Sequence, residues 1–118
     1  MRIRRWGAAP RLAVVAGGAL AVLFVASCAK DDTTSVERGR RVYLVNCTAC
    51  HNSDPALPGT IGPDVAGSKR ELIEARVLRA EYPPGYPPKR PTHAMVALPQ
   101  LAGSIDDLAA YLASVPPR

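Results

Sequence analysis

Two thiols and an imidazole stand within five consecutive residues, Cys47-Thr48-Ala49-Cys50-His51. The pattern is C-x-x-C-H, the attachment signature of c-type haem. The two thiols can each add across one vinyl group of the same porphyrin. The next residue then places an imidazole under the iron, where the proximal donor is commonly His. Two other chemistries use C-x-x-C: a redox dithiol and half of a zinc site. The first wants a βαβ setting, and the second wants further Cys or His at close spacing. Here the only other Cys is Cys28 and the only other His is His93. One covalently attached haem c is therefore the expected cofactor, held by Cys47 and Cys50, with His51 on the iron.

A second axial donor is then needed. Apart from Met1, Met95 is the only methionine, forty-four residues after His51 and close to Leu98-Pro99. A thioether on haem iron favours Fe(II) and raises the potential relative to two imidazoles. Met95 could instead fill a gap in the core, but ligation is the expected role. His93 is the runner-up, two residues away and able to bind iron; it could equally be exposed or bonded to a haem propionate.

The N-terminus directs the chain elsewhere. Arg2, Arg4, Arg5 and Arg11 precede an apolar and glycine-containing run from Leu12 to Ala26, followed by Ser27 and Cys28. That is an export signal. An uncleaved anchor is the alternative, because Leu12 to Ala29 approaches the ~17–25 residues a span requires. Val25-Ala26-Ser27-Cys28 resembles the bacterial lipobox, with Val where Leu is commonest. The resemblance implies a diacylglyceryl group on Cys28 and cleavage before it. Residues 1–27 are then the signal, 28–34 the lipidated Cys and a polar tether, and 35–118 the functional domain. The expected location is the periplasmic side of a bacterial membrane, lipid-anchored, which suits a haem attached outside the cytoplasm. The formal charge of +5 is misleading, since four of the fifteen basic residues lie in the signal and eleven remain against ten acidic ones. With no basic stripe interleaved with aromatics, nucleic-acid binding is not expected.

The elements that must hold these groups are helices and irregular loops. Thr34-Ser35-Val36-Glu37 fits a capping box that opens a first helix. It sets Gly39, Tyr43 and Cys47 on one face at i, i+4 and i+8. Gly39 would cost a helix about 1 kcal/mol relative to Ala, a cost that a close helix crossing would explain. Pro58-Gly59-Thr60-Ile61-Gly62-Pro63 excludes regular helix. Ser68-Lys69-Arg70-Glu71 fits a second capping box, with a helix to about Ala80 and Leu72, Ile73, Val77 and Leu78 on its apolar side. The run from Glu81 to Pro91, rich in Tyr and Pro, is expected to be a stiff loop packed along the haem edge, with recognition by a partner as the alternative. A last helix should follow Gly103, with Ser104 as its cap. About 84 residues with three helices leave a thin core, which a covalently held cofactor would reinforce.

Taken together, the chain resembles a class I, monohaem, all-α cytochrome c over roughly residues 35–115. The resemblance rests on Gly39 and Tyr43 before the C-x-x-C-H motif, on Gly62-Pro63-Asp64-Val65-Ala66-Gly67, on the Met95 loop and on Leu108-Ala109-Ala110-Tyr111-Leu112. It implies that the first and last helices cross near the haem, with Tyr43 and Tyr111 packed there. It also implies that the Pro63 carbonyl accepts the Nδ1–H of His51 and so leaves Nε2 for iron. The departures are the long Tyr-Pro-rich run, His93 just before Met95, and Val96 where that family often has Pro. The function implied is one-electron transfer between a redox donor and a redox acceptor, with no small-molecule substrate and no catalysis. The alternatives are an electron-delivery subunit of an oxidase or reductase complex, and a haem enzyme or gas sensor with a labile sixth ligand.

Overall fold

The computed structural model describes residues 33–118; the expected signal, Cys28 and the tether as far as Asp32 lie outside them. The described chain is all-α. It runs α1 (Ser35–Asn46), α2 (Arg70–Arg79), a 3-10 turn (Pro99–Ser104) and α3 (Ile105–Ser114). No strand occurs among the described residues, and no helix there is long and apolar enough to cross a membrane.

Helix α1 begins as its sequence dictates. The Glu37 N–H donates to the Thr34 hydroxyl oxygen at 3.2 Å, which satisfies one of the otherwise unpaired N–H groups of the first turn. Glu37 also pairs with Arg41 one turn on, at 3.6 Å. The buried residues of α1 are Gly39 and Tyr43, four apart on one face. That face packs on α3. A Cβ built on Gly39 would overlap the backbone carbonyl oxygen of Asp107 and lie 2.9 Å from Cβ of Tyr111. Only a residue without a side chain lets the two helices approach so closely. Tyr43 and Tyr111 meet at the crossing with ring centroids 5.6 Å apart, and Tyr43 and Leu108 are the two most deeply buried large side chains. At the solvent edge, Asp107 accepts from Arg38 (2.8 Å) and from the Ser35 hydroxyl (2.5 Å).

Two helix starts differ from the sequence expectation. Helix α2 begins one residue late: Lys69 is the cap and makes no side-chain capping bond, so Ser68 does not close a capping box. Arg70 instead anchors this end through Glu74 and Asp106, both at 2.6 Å. At the other end Ala80 takes a left-handed conformation (φ 56°), and its carbonyl accepts from the Arg76 guanidinium at 2.5 Å. Ser104 makes no side-chain cap on α3 either. The 3-10 turn runs directly into α3, so carbonyls one turn back already face its first N–H groups. Pro99 starts that turn with its fixed φ, just after the Leu98 N–H docks on the Val77 carbonyl at 2.6 Å.

The core is one cluster built from Tyr43, Ile73, Val77, Ile105, Leu108 and Leu112, with Tyr111. It fills the space between α1, α2 and α3 only in part. The remainder is a cavity.

Candidate functional site

The cavity measures about 290 Å³. Its deep wall is core: Tyr43, Ile73, Val77, Leu108 and Leu112. Its chemistry comes from three stretches of irregular chain.

The first stretch is residues 47–51. Helix α1 ends at Cys47, whose N–H still reaches the Tyr43 carbonyl at 2.9 Å. The chain then makes one tight turn, in which the His51 and Cys50 N–H groups both donate to the Cys47 carbonyl, at 2.9 and 3.2 Å. The Thr48 hydroxyl donates to the Leu44 carbonyl at 2.9 Å and holds this turn on the helix end. Cys47, Cys50 and His51 all line the cavity, and both thiols are free.

The environment of Cys47 opposes dithiol redox chemistry. Such a site wants a thiolate, with a thiol pKa lowered at a helix N-terminus or beside a cation. Cys47 instead caps a helix C-terminus, the end whose dipole disfavours negative charge. Burial pushes its thiol up, to about 11. Among the described residues no three His, Cys, Asp or Glu side chains form a metal-binding group.

The second stretch, residues 59–64, wraps the imidazole. The Gly62 and Ile61 N–H groups donate to the Cys50 carbonyl at 2.8 and 3.3 Å, and the Gly59 N–H closes the loop on the Gly62 carbonyl at 2.9 Å. The Pro63 carbonyl oxygen lies 2.8 Å from Nδ1 of His51. A carbonyl can only accept, so Nδ1 carries the proton and the neutral ring keeps its lone pair on Nε2. A Cβ built on Gly62 would sit 2.5 Å from Cε1, 2.6 Å from Nδ1 and 2.8 Å from Nε2 of that ring. Glycine at 62 is thus what lets the backbone lie flat against the imidazole.

The third stretch is the Tyr-Pro-rich segment and the residues leading to Met95. It is irregular, and Tyr82 and Tyr86 line the cavity. Their rings stack with centroids 6.3 Å apart and planes 10° apart, and the Arg76 guanidinium lies 4.2 Å from the Tyr82 ring centre. Lys89 and Arg90 cross to the second stretch. Lys89 pairs with the Asp64 carboxylate at 2.6 Å and reaches its carbonyl at 3.1 Å. Arg90 donates to the carbonyls of Ile61 and Gly59 at 2.8 and 3.3 Å. The Lys89 ammonium, by hydrogen bond and charge, holds the Asp64 carboxyl below its ordinary value.

Met95 is half-buried, packs on the core cluster and lines the cavity. His93 is exposed and lies outside the lining. Cys47, Cys50, His51, Pro63 and Met95 thus surround one space, and His93 does not join them. Cys28 is outside the described residues. Sequence reasoning passed over Arg90, Lys89 and the Arg76–Tyr82–Tyr86 stack. Their one visible signal was the density of Tyr and Pro around them, which marks a packed loop without saying what it packs on.

The donors suit one kind of occupant. Two thiols spaced along one turn and an imidazole with a free Nε2 border an apolar hollow. A softer sulfur reaches the same hollow from a distant loop. That set fits a large flat apolar group bonded at its edge and ligated at its centre. No known protein family, curated protein or solved structure matches this chain.

Proposed function

We propose that the chain is a c-type cytochrome that carries single electrons between redox partner proteins. The observation that carries this reading is the gathering of both cysteines and the histidine of the C-x-x-C-H motif, with the chain's lone internal methionine, around one apolar cavity. When bound, haem c would supply the Fe(III)/Fe(II) couple; the polypeptide supplies attachment, axial donors and a dry environment.

Each residue then has one task. Cys47 and Cys50 hold the porphyrin by thioether bonds, each thiol adding its sulfur and hydrogen across a vinyl group. His51 offers Nε2 to the iron, with its tautomer and ring plane fixed by the Pro63 carbonyl and the flat backbone at Gly62. Met95 would offer a thioether to the iron, which favours the reduced state. With His51 and Met95 both able to ligate the iron, no substrate would need to reach it, and the role proposed is that of a carrier rather than an enzyme. Apolar side chains from α2 and α3 keep water from the deep side, which strengthens the electrostatic control of the potential. The fold proposed is the small cytochrome c type. From the sequence, we further propose export and lipid anchoring through Cys28, which would hold the carrier close to membrane-bound partners and raise their effective concentration.

The test is the visible spectrum of the matured, reduced protein, read before and after extraction with acidified acetone. Pigment that stays with the polypeptide is the expected result. A correctly matured product that is colourless, or that loses its pigment to the solvent, overturns the proposal. Met95→Ala should lower the reduction potential and open the iron to carbon monoxide, whereas His93→Gln should change neither. Reversal of that pair would make His93 the ligand. Mass spectrometry of the mature N-terminus tests the anchor, with an acylated Cys28 expected and an intact Arg-rich terminus refuting it.

A further inference from the structure

Resting on the haem reading above, we infer that Arg90, assisted by Lys89, is a positioning residue that ties the two axial-ligand loops together. The loop at 59–64 sets the imidazole: its amides grip the Cys50 carbonyl, Gly62 faces the ring, and the Pro63 carbonyl holds Nδ1. The segment at 82–95 delivers Met95. These two stretches come from opposite sides of α2 in the sequence, and nothing in their covalent connectivity fixes one against the other.

Arg90 supplies the missing link. Its guanidinium donates to two carbonyls of the 59–64 loop, those of Gly59 and Ile61. Both carbonyls belong to residues whose own N–H groups are already committed, Gly59 to the Gly62 carbonyl and Ile61 to the Cys50 carbonyl. The loop's carbonyls at Gly59 and Ile61 are therefore held by a cation that itself lines the cavity, while its amides at Ile61 and Gly62 are held by the Cys50 carbonyl. Both bonds leave one nitrogen, Nη1, whose two N–H groups lie in the guanidinium plane, so a single planar group spans the two carbonyls. Lys89 repeats the device one residue earlier, gripping both the carboxylate and the carbonyl of Asp64, the residue after Pro63. Only four residues lie between Arg90 and Met95, so the strap holds the chain within roughly 18 Å of the thioether. The far end of the segment is held by the stack of Arg76, Tyr82 and Tyr86. Loosening Arg90 should therefore free both donors at once: Met95 would leave the iron more readily, and the loop behind His51 would open more often.

The experiment uses the full, matured, pigmented chain. Imidazole is titrated into the ferric protein, where it competes with Met95, and hydrogen exchange is followed at the Ile61 and Gly62 amides. Arg90→Ala is expected to bind imidazole about tenfold more tightly and to exchange both amides about tenfold faster, the lower end of what one charge-assisted hydrogen bond is worth. Arg90→Lys, which keeps the charge on a shorter stem without the planar guanidinium, should fall between. Lys89→Met, which removes an exposed ion pair and the bond to the Asp64 carbonyl, should fold normally and move both readouts the same way by about threefold. If both Arg90→Ala and Lys89→Met match the parent in both readouts, the strap is refuted while the haem reading stands. Full rescue by Arg90→Lys refutes positioning in favour of charge alone. An uncoloured parent chain overturns the haem reading and this inference with it.

Discussion

Replacing Gly62 by Ala adds one methyl group, and two opposing effects decide its outcome. Gly62 has an ordinary φ, because the described glycines with positive φ are Gly67 and Gly85. With no backbone strain, Gly→Ala should stabilise by about 0.4–1 kcal/mol through the unfolded chain. Against this stands the His51 ring, 2.5–2.8 Å from the new Cβ. Ordinary contact begins near ~3.4 Å, so ring and loop must separate by roughly 0.9 Å. The loop cannot supply that movement, because the Gly62 N–H is on the Cys50 carbonyl and its own carbonyl is on the Gly59 N–H. The ring must yield, and the 2.8 Å bond from Nδ1 to the Pro63 carbonyl stretches past useful length. Overpacking costs about 1–3 kcal/mol and the lost hydrogen bond about 1 kcal/mol, so the net destabilisation is about 2–3 kcal/mol. Urea unfolding of matured parent and variant measures it, and the reduction potential should shift with the freed imidazole. A variant with an unchanged or higher urea midpoint would refute the steric argument at this site.

Gly39→Ala should also destabilise, by about 2 kcal/mol net. The clash is with an immovable Asp107 carbonyl, and the gain in helix propensity offsets only about 1 kcal/mol; thermal denaturation should fall by about 10 °C. Asp107, held below its ordinary 3.8 by the hydrogen bond from Arg38 and then that from Ser35, contributes stability that is present above pH ~4. That contribution is lost as pH falls through the depressed value, so parent and Asp107→Asn should differ at neutral pH and converge once the pH has fallen through it, read as urea midpoints. Cys47→Ser/Cys50→Ser, which cannot form thioethers, should show markedly reduced helical signal in far-ultraviolet circular dichroism compared with the matured parent.

Local signals were the readable part of this sequence. Thr34 and Glu37 start α1 where their spacing says they should, because capping is decided within four residues. Gly39 was legible as a crossing because a helix-destabilising residue in phase with Tyr43 and Cys47 needs a tertiary reason. Ser68 and Ser104 carried the same local signal and make no caps: α2 starts one residue later, with Arg70 paired to Asp106 of α3, and a 3-10 turn runs straight into Ile105. Within the site, the turn from Cys47 to His51 was legible as a unit. The clamp from Lys89 and Arg90 onto residues 59–64 was not. It joins stretches about thirty residues apart through backbone carbonyls, which every residue possesses and which therefore leave no mark in the sequence.

The cavity connects this fold to its proposed chemistry. An apolar hollow of about 290 Å³, valued at ~24 cal/mol per Å³, would weaken the domain by up to about 7 kcal/mol if left unfilled and uncollapsed. The whole stability of a small domain is only about 5–15 kcal/mol. The open mouth and partial collapse reduce the penalty, and a bound apolar group would remove what is left of it. The walls are also fixed by different means. The deep side is helix packing around Tyr43 and Leu108, while the mouth is cationic side chains on carbonyls. A group inserted between them would complete the core of the first and be retained by the second. Covalent attachment at the end of α1 would add a permanent link at the point where the Gly39 crossing has already set the helix. On this reading, the same substitution at Gly39 should impair both stability and the yield of pigmented protein. Loss of pigment without loss of stability would separate the two and break the argument.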